Sequence, residues 1–314
     1  MTHLKILAVS GGTKHGNNDS ICKEALLGAE EAGASVQFIR LHDLDLRHCT
    51  GCGACMKSLF SGRGGGCVLR DDFAWLREQI LDAGGVLFSI PVFEKGAAGI
   101  FHTVLDRFGP GNDTGVNAVG LQRARDSGGP EPDPRLFQRK AVAFLGTGGT
   151  DYTTRFQCDC AMLATLMLWR TVACEVFDWT KYFILEERRI ARAREVGKLL
   201  ARAAEDPSAV GPERSGVCPH CRCSNFYLRT DGSAECCLCG IKGRIEAAEG
   251  RLRFLFEDAS RAYDTLEGKL LHAEDIQKNQ AARSELRETE VFRQRKAYYS
   301  ALIEASTPER GGWS

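Results

Sequence analysis

The chain has 314 residues, in which 41 Lys and Arg balance 41 Asp and Glu and 43% of the residues are hydrophobic. This length and apolar content are enough for one large domain with a substantial core and a smaller module beside it. The zero net charge argues against general attraction to nucleic acid or an anionic membrane, and no apolar run approaches the roughly 20 residues that span a bilayer.

The first residues, MTHLKILAVS, enter a strand-like pattern at once and lack the charged, apolar and cleavage regions of a secretory signal. We therefore predict a cytoplasmic protein, whose thiols stay reduced. In such a compartment, 14 Cys indicate metal ligands or redox groups in preference to disulfides.

Apolar strands alternate with helices along the first part of the chain. Strands are predicted at residues 4–9, 36–41, 85–90, 141–145 and 172–177, and helices at 19–32, from 71–72 onward, up to about 108, after 150 and at 186–204. Continuous apolar strands alternating with helices predict a parallel, doubly wound sheet that is covered on both faces. We therefore assign residues 1–206 to an α/β domain with a flavodoxin-like five-stranded parallel sheet.

The remaining segments differ in character from this alternation. Residues 109–138 are rich in Gly, Pro, Asp and Arg, which predicts an irregular insertion: a lid, an interface arm or disorder. Residues 207–212 read as a linker. Residues 213–257 switch to short alternating strands, predicted at 226–229 and 233–236 around an Asp231-Gly232 turn and at 251–256. Residues 258–314 are predicted to be helical, with an incomplete apolar stripe that fits either packing on its own domain or a subunit contact.

Three loops follow strands at the edge where doubly wound sheets bind ligands. The first, Ser10–Ser20, is rich in small and hydroxyl residues and leads into a helix whose N-terminal N–H groups can hold a phosphate. The second begins at Pro91 and places Phe93 beside any flat ring. The third, Gly146–Thr150, lets the backbone approach a ligand closely, because three of its five residues are glycines.

The first cysteine group lies in residues 49–67 and has the spacing C-x2-C-x2-C-x11-C. It consists of Cys49, Cys52, Cys55 and Cys67. Closely spaced thiolates on one curling loop suit a [4Fe–4S] cluster, with the distant Cys67 completing the ligand set. Zinc and unligated cysteines stay open as alternatives, because the last spacer is long.

The second cysteine group has the spacing C-x2-C-x14-C-x2-C around the predicted hairpin. It consists of Cys218, Cys221, Cys236 and Cys239, with His220, Cys223 and Cys237 as spare candidates. Four thiolates from two turns can enclose Zn2+ tetrahedrally and leave no open position, so we predict a structural zinc ribbon. Basic and acidic side chains are balanced in the ribbon and the tail, which argues against a nucleic-acid partner.

Three motifs resemble those of the NAD(P)H-dependent FMN reductase and iron-sulfur flavoprotein family. SGGTKHGNN at residues 10–18 resembles the family's phosphate loop, usually G-S-P-R-x-x-G-N-T. IPVFEKGAAGIFHTVLDRF at residues 90–108 resembles its strand-Pro-Val-Tyr segment and the following helix. CTGCGACMKSLFSGRGGGCVLRDD at residues 49–72 resembles its compact cysteine motif followed by Asp-Asp. The resemblance covers roughly residues 4–204.

This resemblance implies that the chain binds FMN. It implies a phosphate site made of Ser10, Thr13, Gly16, Asn17, Asn18 and Ser20. It implies that the isoalloxazine lies against Pro91, Val92, Phe93, Glu94, Thr147, Gly148, Gly149 and Thr150. Gly12 and Thr13 replace the usual Pro-Arg, which makes Lys14 the candidate substitute for that arginine, and Phe93 replaces the usual Tyr.

We therefore predict an iron-sulfur flavoprotein that moves electrons or hydride between NAD(P)H or a ferredoxin-like donor and a small-molecule or protein acceptor, or that runs in reverse as a metabolite dehydrogenase. Two alternatives stay open: a redox-responsive flavoprotein that binds a partner or nucleic acid through its ribbon, and a simple FMN or quinone reductase without a cluster. A homo-oligomer, dimer or tetramer, is expected. No catalytic residue is assigned. His102 is either a proton donor or an ordinary surface histidine, and Cys158-Asp159-Cys160 has no assigned role.

Overall fold

The computed structural model describes residues 4–206, 216–248, 250–256 and 258–306. The chain separates into two compact units, Met1–Leu270 and Leu271–Ser314. The first unit holds both sheets and the seven longer helices that accompany them in the described residues. The predicted linker at 207–212 and the start of the predicted ribbon at 213–215 lie outside the described residues.

The larger sheet carries the flavodoxin-like strand order. Its strands are β1 (Lys5–Ser10), β2 (Ser35–Arg40), β3 (Gly85–Phe93), β4 (Gly96–Ala97), β5 (Ala141–Thr147) and β6 (Arg170–Phe177). Five of them are parallel in the order β2-β1-β3-β5-β6, while the short β4 pairs antiparallel with the end of β3. This order reverses direction beside β1, which creates a binding crevice at the carboxyl ends of β1 and β3. The predicted fold class is confirmed.

Helices cover both faces of this sheet. They are α1 (Asn17–Glu31), α2 (Ala54–Phe60), α3 (Phe73–Asp82), α4 (Gly99–Asn112), α5 (Thr114–Ser127), α6 (Phe156–Leu166) and α7 (Glu187–Glu205). Successive strand residues point to opposite faces, so Leu7 and Val9 join one core with α3, α4 and α6, while Ile6 and Ala8 join the other with α1 and α7. Burial on both faces explains why the strands read as continuous apolar runs.

The prediction that residues 109–138 are irregular was wrong. Residues 114–127 form α5, and Asp113 caps it by accepting hydrogen bonds from Gly115 N and Val116 N. Glycines hid this helix from the sequence pattern. A Cβ at Gly120 would lie 3.0 Å from Leu59 Cδ2, so the small residue there serves close packing against α2. Pro134–Phe137 adds a short 3-10 turn.

The second sheet is antiparallel, with the order β10-β9-β8-β7. Its strands are β7 (Phe226–Leu228), β8 (Ser233–Cys236), β9 (Lys242–Ala248) and β10 (Arg251–Phe256). Three of them match the predicted short strands, whereas β9 was not predicted because charged residues and Gly243 dilute its pattern. The domain boundaries given above stay predictions.

The chain ends in two helices, α8 (Leu266–Arg287) and α9 (Glu290–Leu302). Thr289 caps α9, because its hydroxyl oxygen accepts a hydrogen bond from Phe292 N at 3.2 Å. No side chain of α9 is buried, although the structure describes the whole helix. Among the described helices, none is both long enough and apolar enough to cross a bilayer.

Candidate functional site

The first loop turns from β1 into α1 and leaves a helix N-terminus open. Gly16 is the N-cap of α1 and supplies no side-chain cap, so the first-turn N–H groups face the loop. Gly16 N donates to Thr13 O at 2.9 Å, which closes the turn. A Cβ at Gly12 would lie 2.7 Å from Asn18 Cβ, so only glycine fits there. Uncapped amides at the start of a 15-residue helix suit a phosphate.

A buried carboxylate, Asp19, organises this loop from below. Its oxygens accept hydrogen bonds from Ser10 Oγ and His15 N, each at 2.7 Å, and Arg40 Nη2 pairs with it at 2.6 Å. Burial opposes ionisation of Asp19, but the hydrogen bonds of Arg40, Ser10 and His15 outweigh it and hold the pKa below its usual value. Arg40 thereby neutralises an anion that would otherwise repel a phosphate.

Asn18 connects the first predicted cofactor loop with the third loop and with the strand that leads into the second. Its Nδ2 donates to Ser89 Oγ on β3 at 3.1 Å, and its Oδ1 accepts from Thr147 Oγ1 on β5 at 3.1 Å. Gly11 N donates to Ser89 O at 2.8 Å and adds a backbone link between β1 and β3. The buried amide of Asn18 thus fixes the spacing between the carboxyl ends of β1, β3 and β5.

The other residues predicted in the first loop divide into supporting and accessible side chains. Ser10 is fully buried and its hydroxyl is used by Asp19, so its side chain supports the loop. The amide of Asn17 holds the segment after β6, because Oδ1 accepts from Phe183 N at 3.0 Å. Ser20 Oγ donates to Gly16 O at 3.3 Å. Thr13 and Lys14 are exposed at the tip.

The second and third loops follow the neighbouring strands β3 and β5, at the same sheet edge as the first loop. Pro91 and Val92 are half-buried at the end of β3, whereas the Phe93 side chain is 65% exposed. Glu94 and Lys95 adopt left-handed conformations, with φ of 47° and 70°, and turn the chain into β4. Across from them, Gly149 is open, since a Cβ there would meet nothing within 4 Å.

Asp159, in the first turn of α6, ties the second loop to the third. One carboxylate oxygen accepts a hydrogen bond from Ala97 N at 3.0 Å and lies 3.7 Å from His102 Nε2 on α4. Arg155 Nη2 lies 3.6 Å from the same oxygen. His102 therefore lies near the end of the second loop, with the Asp159 carboxylate close to its Nε2.

These features fit FMN. The start of α1 has no side-chain cap, and the space beside Gly149 is open, so both can contact a ligand. The exposed ring of Phe93 offers an apolar face. Sequence reasoning missed Asp19 and Arg40, which support the loop from beneath. An acidic residue in a first helical turn reads as an ordinary partner of the helix dipole, so the sequence carried no distinguishing signal.

The cysteine loop is fastened to α4 by a buried ion pair. Arg107 and Asp71 form two hydrogen bonds, at 2.6 and 2.9 Å, with both side chains almost fully buried. Asp71 also accepts from Arg47 N, and Arg107 donates to Arg47 O, each at 2.8 Å. Nearby, Thr103 Oγ1 lies 2.7 Å from His48 Nδ1. These contacts fix both ends of the segment that carries the first cysteine group.

The four thiols of the first group share one neighbourhood on this loop. Cys49, Cys52 and Cys67 are exposed and Cys55 is half-buried. Burial raises the pKa of Cys55, and the charges of the other three thiols raise it further. Cys49 lines an open cleft of about 460 Å³, together with Asp106, Met162 and Leu166. In the described residues these thiols do not form a tight single-ion tetrad, but a cubane holds its thiolates farther apart than one ion does.

The second group forms a compact tetrad. The Sγ atoms of Cys218, Cys221, Cys236 and Cys239 all lie within 4.8 Å of one another. The Cys218–Cys239 and Cys221–Cys236 sulfur pairs are 3.9 and 3.4 Å apart. Four thiolates 2.3 Å from one zinc ion would stand about 3.8 Å apart. The donor set and its spacing therefore fit Zn2+, while the spare candidates His220 and Cys237 stand outside the tetrad.

A buried ion pair that the sequence did not signal joins α5 to the start of α8. Lys269 Nζ donates to Asp113 Oδ2 at 2.6 Å, and Tyr263 OH donates to the same oxygen at 3.0 Å. A Cβ at Gly115 would lie 2.5 Å from Lys269 Cβ, so glycine permits this approach. The cap of α5 and the segment after β10 thus depend on one carboxylate.

Comparison with known proteins gives one family and two kinds of relative. The NADPH-dependent FMN reductase family model matches residues 4–172. A solved structure described as a flavone reductase is 42% identical, with a TM-score of 0.86, over 98% of this chain and 100% of its own. Flavone synthase cfoJ from Aspergillus candidus is 24% identical over 87% of this chain and 89% of its own length. Iron-sulfur flavoprotein MJ1083 from Methanocaldococcus jannaschii is 29% identical over 34% of this chain and 53% of its own length.

Proposed function

The chain belongs to the NADPH-dependent FMN reductase family and is an FMN-dependent oxidoreductase, and we propose that it interconverts a flavone-class substrate and its dihydro form, with NAD(P)H as the electron donor for reduction. The observation that carries this proposal is the end-to-end similarity to a flavone reductase, at 42% identity. Reducing a flavone and forming one are opposite directions of the same two-electron change at a conjugated carbon–carbon bond. The flavone synthase relative is therefore consistent with the same substrate class.

The proposal gives each loop a task. The uncapped start of α1, with Thr13, Lys14 and Gly16, would hold the FMN phosphate, and Asn18 would keep the other two loops at the spacing that the ring needs. The ring would lie between residues 91–94 and 147–150. When bound, FMN supplies hydride transfer to and from a carbon atom.

Aromatic side chains around the sheet edge suit a flat phenolic substrate. They follow β3, β5 and β6 and are more than half exposed: Phe93, Tyr152, Trp179 and Tyr182. Lys95 Nζ lies 5.1 Å from the centre of the Tyr152 ring, which steadies that side chain. Exposed rings with few competing contacts can stack on a second aromatic system, so this edge favours a flavone over a small aliphatic acceptor.

The substrate assignment is tested with Phe93→Ala in the FMN-loaded protein. We expect kcat/KM for flavone reduction, expressed per bound FMN because Phe93 also lies in the proposed ring site, to fall at least about tenfold, or ~1.4 kcal/mol. The matched control is Phe137→Ala, because Phe137 is another exposed phenylalanine on a 3-10 turn away from the three loops. Equal loss in both variants, or no loss in either, would contradict stacking on Phe93.

We propose a [4Fe–4S] cluster on Cys49, Cys52, Cys55 and Cys67. Two observations support it: the charges of the other three thiols act on the pKa of Cys55, and several relatives are iron-sulfur flavoproteins. A cluster here would let the enzyme exchange single electrons with a ferredoxin-like donor. Iron and acid-labile sulfide should both be found after anaerobic purification, and Cys52→Ser should lose them while Cys174→Ser keeps them. Protein without iron would favour the simple FMN or quinone reductase.

We further propose that Cys218, Cys221, Cys236 and Cys239 hold structural zinc, and that the protein is a homo-oligomer. The zinc proposal is supported by the spacing of the sulfur atoms. The oligomer is supported by α9, whose apolar side chains are all exposed within the described chain. A small-molecule substrate and an electron carrier remain the proposed partners, in the cytoplasm predicted from the sequence.

A further inference from the structure

Two thiols outside both proposed metal sites lie side by side. Cys158 stands in the first turn of α6, and Cys223 follows the Cys218–Cys221 turn of the second sheet. Their side chains contact each other, and the Cys223 side chain also contacts Cys236 of the tetrad. The Cys158 thiol is half-buried and also lies 3.7 Å from Cys237 O, whereas the Cys223 side chain is fully buried.

Neighbouring side chains hold the backbone on each side of this pair. Gln157 Nε2 donates to Arg222 O at 2.9 Å, and Gln157 Oε1 accepts from Ser224 Oγ at 2.8 Å and from Ser224 N at 3.2 Å. Asn225 Nδ2 donates to Thr154 O at 2.9 Å. The residues that flank Cys158 therefore bond the residues that flank Cys223, which keeps the two thiols in register.

The pair adjoins the zinc tetrad and the core of the second sheet, but it supplies none of the four proposed ligands. The four tetrad sulfurs gather within 4.8 Å of one another without Cys158 or Cys223. Cys160, two residues along α6, points the other way into the core and is fully buried. Of the Cys158-Asp159-Cys160 motif, only the first thiol can meet the second sheet, and its oxidation would remove no ligand from the tetrad.

We propose that Cys158 and Cys223 are a redox site that closes into a reversible disulfide and fastens the second sheet to α6. Hydrogen peroxide is the oxidant. The Cys158 thiolate attacks one oxygen, the O–O bond breaks, hydroxide departs, and Cys158 becomes a sulfenic acid. The Cys223 sulfur then attacks the Cys158 sulfur, the S–O bond breaks, and the hydroxyl group takes the Cys223 proton and leaves as water. Two electrons pass from the thiol pair to the peroxide, and a dithiol returns them.

The bond would act next to the flavin edge. The segment Asp151–Arg155 connects the third cofactor loop to α6, and Thr154 O and Arg155 N lie within it. A disulfide from the first turn of α6 would hold this segment against the second sheet. The inference does not depend on the flavone proposal, because it concerns thiols that contact neither the three loops nor the aromatic edge.

The test uses the full-length, zinc-replete protein. It is treated with a small excess of hydrogen peroxide, alkylated, digested without reductant and analysed by mass spectrometry. We expect a peptide cross-link between Cys158 and Cys223 as the main product, reversal by dithiothreitol, retained zinc and a raised Tm. Cys158→Ser should lose the cross-link and the Tm increase, while the matched control Cys174→Ser keeps both.

Three results would overturn the proposal. The first is a main disulfide that includes Cys237 or a tetrad cysteine, accompanied by zinc release. The second is a Cys158 that proceeds to sulfinic acid while Cys223 is recovered alkylated. The third is an unchanged cross-link yield in Cys158→Ser. Because Cys158 is half-buried on a helix turn, its serine variant should fold even if Cys223→Ser does not.

Discussion

A single buried amide can organise a site that is assembled from distant parts of a chain. Asn18 hydrogen-bonds Ser89 on β3 and Thr147 on β5, so one side chain links the carboxyl ends of three strands. The family motif predicted Asn18 from the sequence, but as a phosphate contact. Its partners were not predictable, because a side-chain bond between strand ends depends on the three-dimensional order of the strands.

Asn18→Ala should weaken FMN binding about tenfold or more, because removing the amide leaves the buried Ser89 hydroxyl and the half-buried Thr147 hydroxyl without this partner, at ~1 kcal/mol or more each. Titration of the apoprotein with FMN measures the effect. Asn117→Ala is the matched control, since Asn117 is also a buried asparagine but donates to Asp113 O and Gly111 O, both just before α5. Equal Kd values for wild type and Asn18→Ala would remove Asn18 from the site.

Asp71 makes the cysteine loop sensitive to acid. Its hydrogen bonds with Arg107 lower its pKa to about 2, whereas an unfolded aspartate has a pKa of about 3.9. The lowered pKa contributes stability that is fully present above about pH 4 and is lost as the pH falls toward 2. Asp71→Asn should therefore cost about 2–3 kcal/mol of unfolding free energy at pH 7 and progressively less below pH 4.

Urea unfolding of both proteins at several pH values checks this prediction. Asp126→Asn is the control, because Asp126 is exposed on α5 and accepts its hydrogen bond from the exposed Gln122 side chain. A constant difference between wild type and Asp71→Asn across the acid range would show that the ion pair does not set the pH dependence.

At the scale of elements, the sequence predicted the strands and helices whose buried residues follow a regular apolar pattern. The five parallel strands of the larger sheet were predicted because both faces are covered, and α1, α4 and α7 followed from their apolar spacing. The prediction failed at α5, where Gly115 and Gly120 serve close contacts with Lys269 and Leu59. It also missed β9, whose backbone pairs with β8 and β10 while its side chains are mostly charged or small. Charged and small residues give a strand no hydrophobic periodicity by which it can be predicted.

The zinc proposal predicts a sharp contrast between adjacent cysteines. Cys236→Ser should lose its zinc and expose the second sheet to proteolysis, because the tetrad would keep only three thiolates. Cys237→Ser should retain zinc, since Cys237 is exposed and stands outside the tetrad. Metal analysis and limited proteolysis measure both effects. A zinc-loaded Cys236→Ser protein would contradict the assigned ligands.

At the scale of the whole molecule, α9 is a described helix without a buried side chain. Its apolar side chains are exposed along its described length: Val291, Phe292, Tyr298, Tyr299 and Leu302. A helix of 13 residues is marginal in water without a packing surface. A second copy of the chain is the cover that we propose.

Phe292→Glu combined with Tyr299→Glu should shift the protein toward monomer, because buried carboxylates would oppose the contact. Light scattering of the full chain gives the mass. Gln294→Glu is the control, as Gln294 is an exposed polar residue of α9 that bonds Glu290. A monomeric wild type, or a double variant that keeps the wild-type mass, would remove α9 from the interface.

The most direct measurement is a single anaerobic turnover. The FMN-loaded protein is reduced with one equivalent of NADPH and mixed with a flavone while flavin absorbance is followed. We predict that the flavin reoxidises and that one dihydro product forms for each flavin. A flavin that stays reduced with the flavone, but is reoxidised at once by a quinone or a ferredoxin-like protein, would contradict the proposed substrate class.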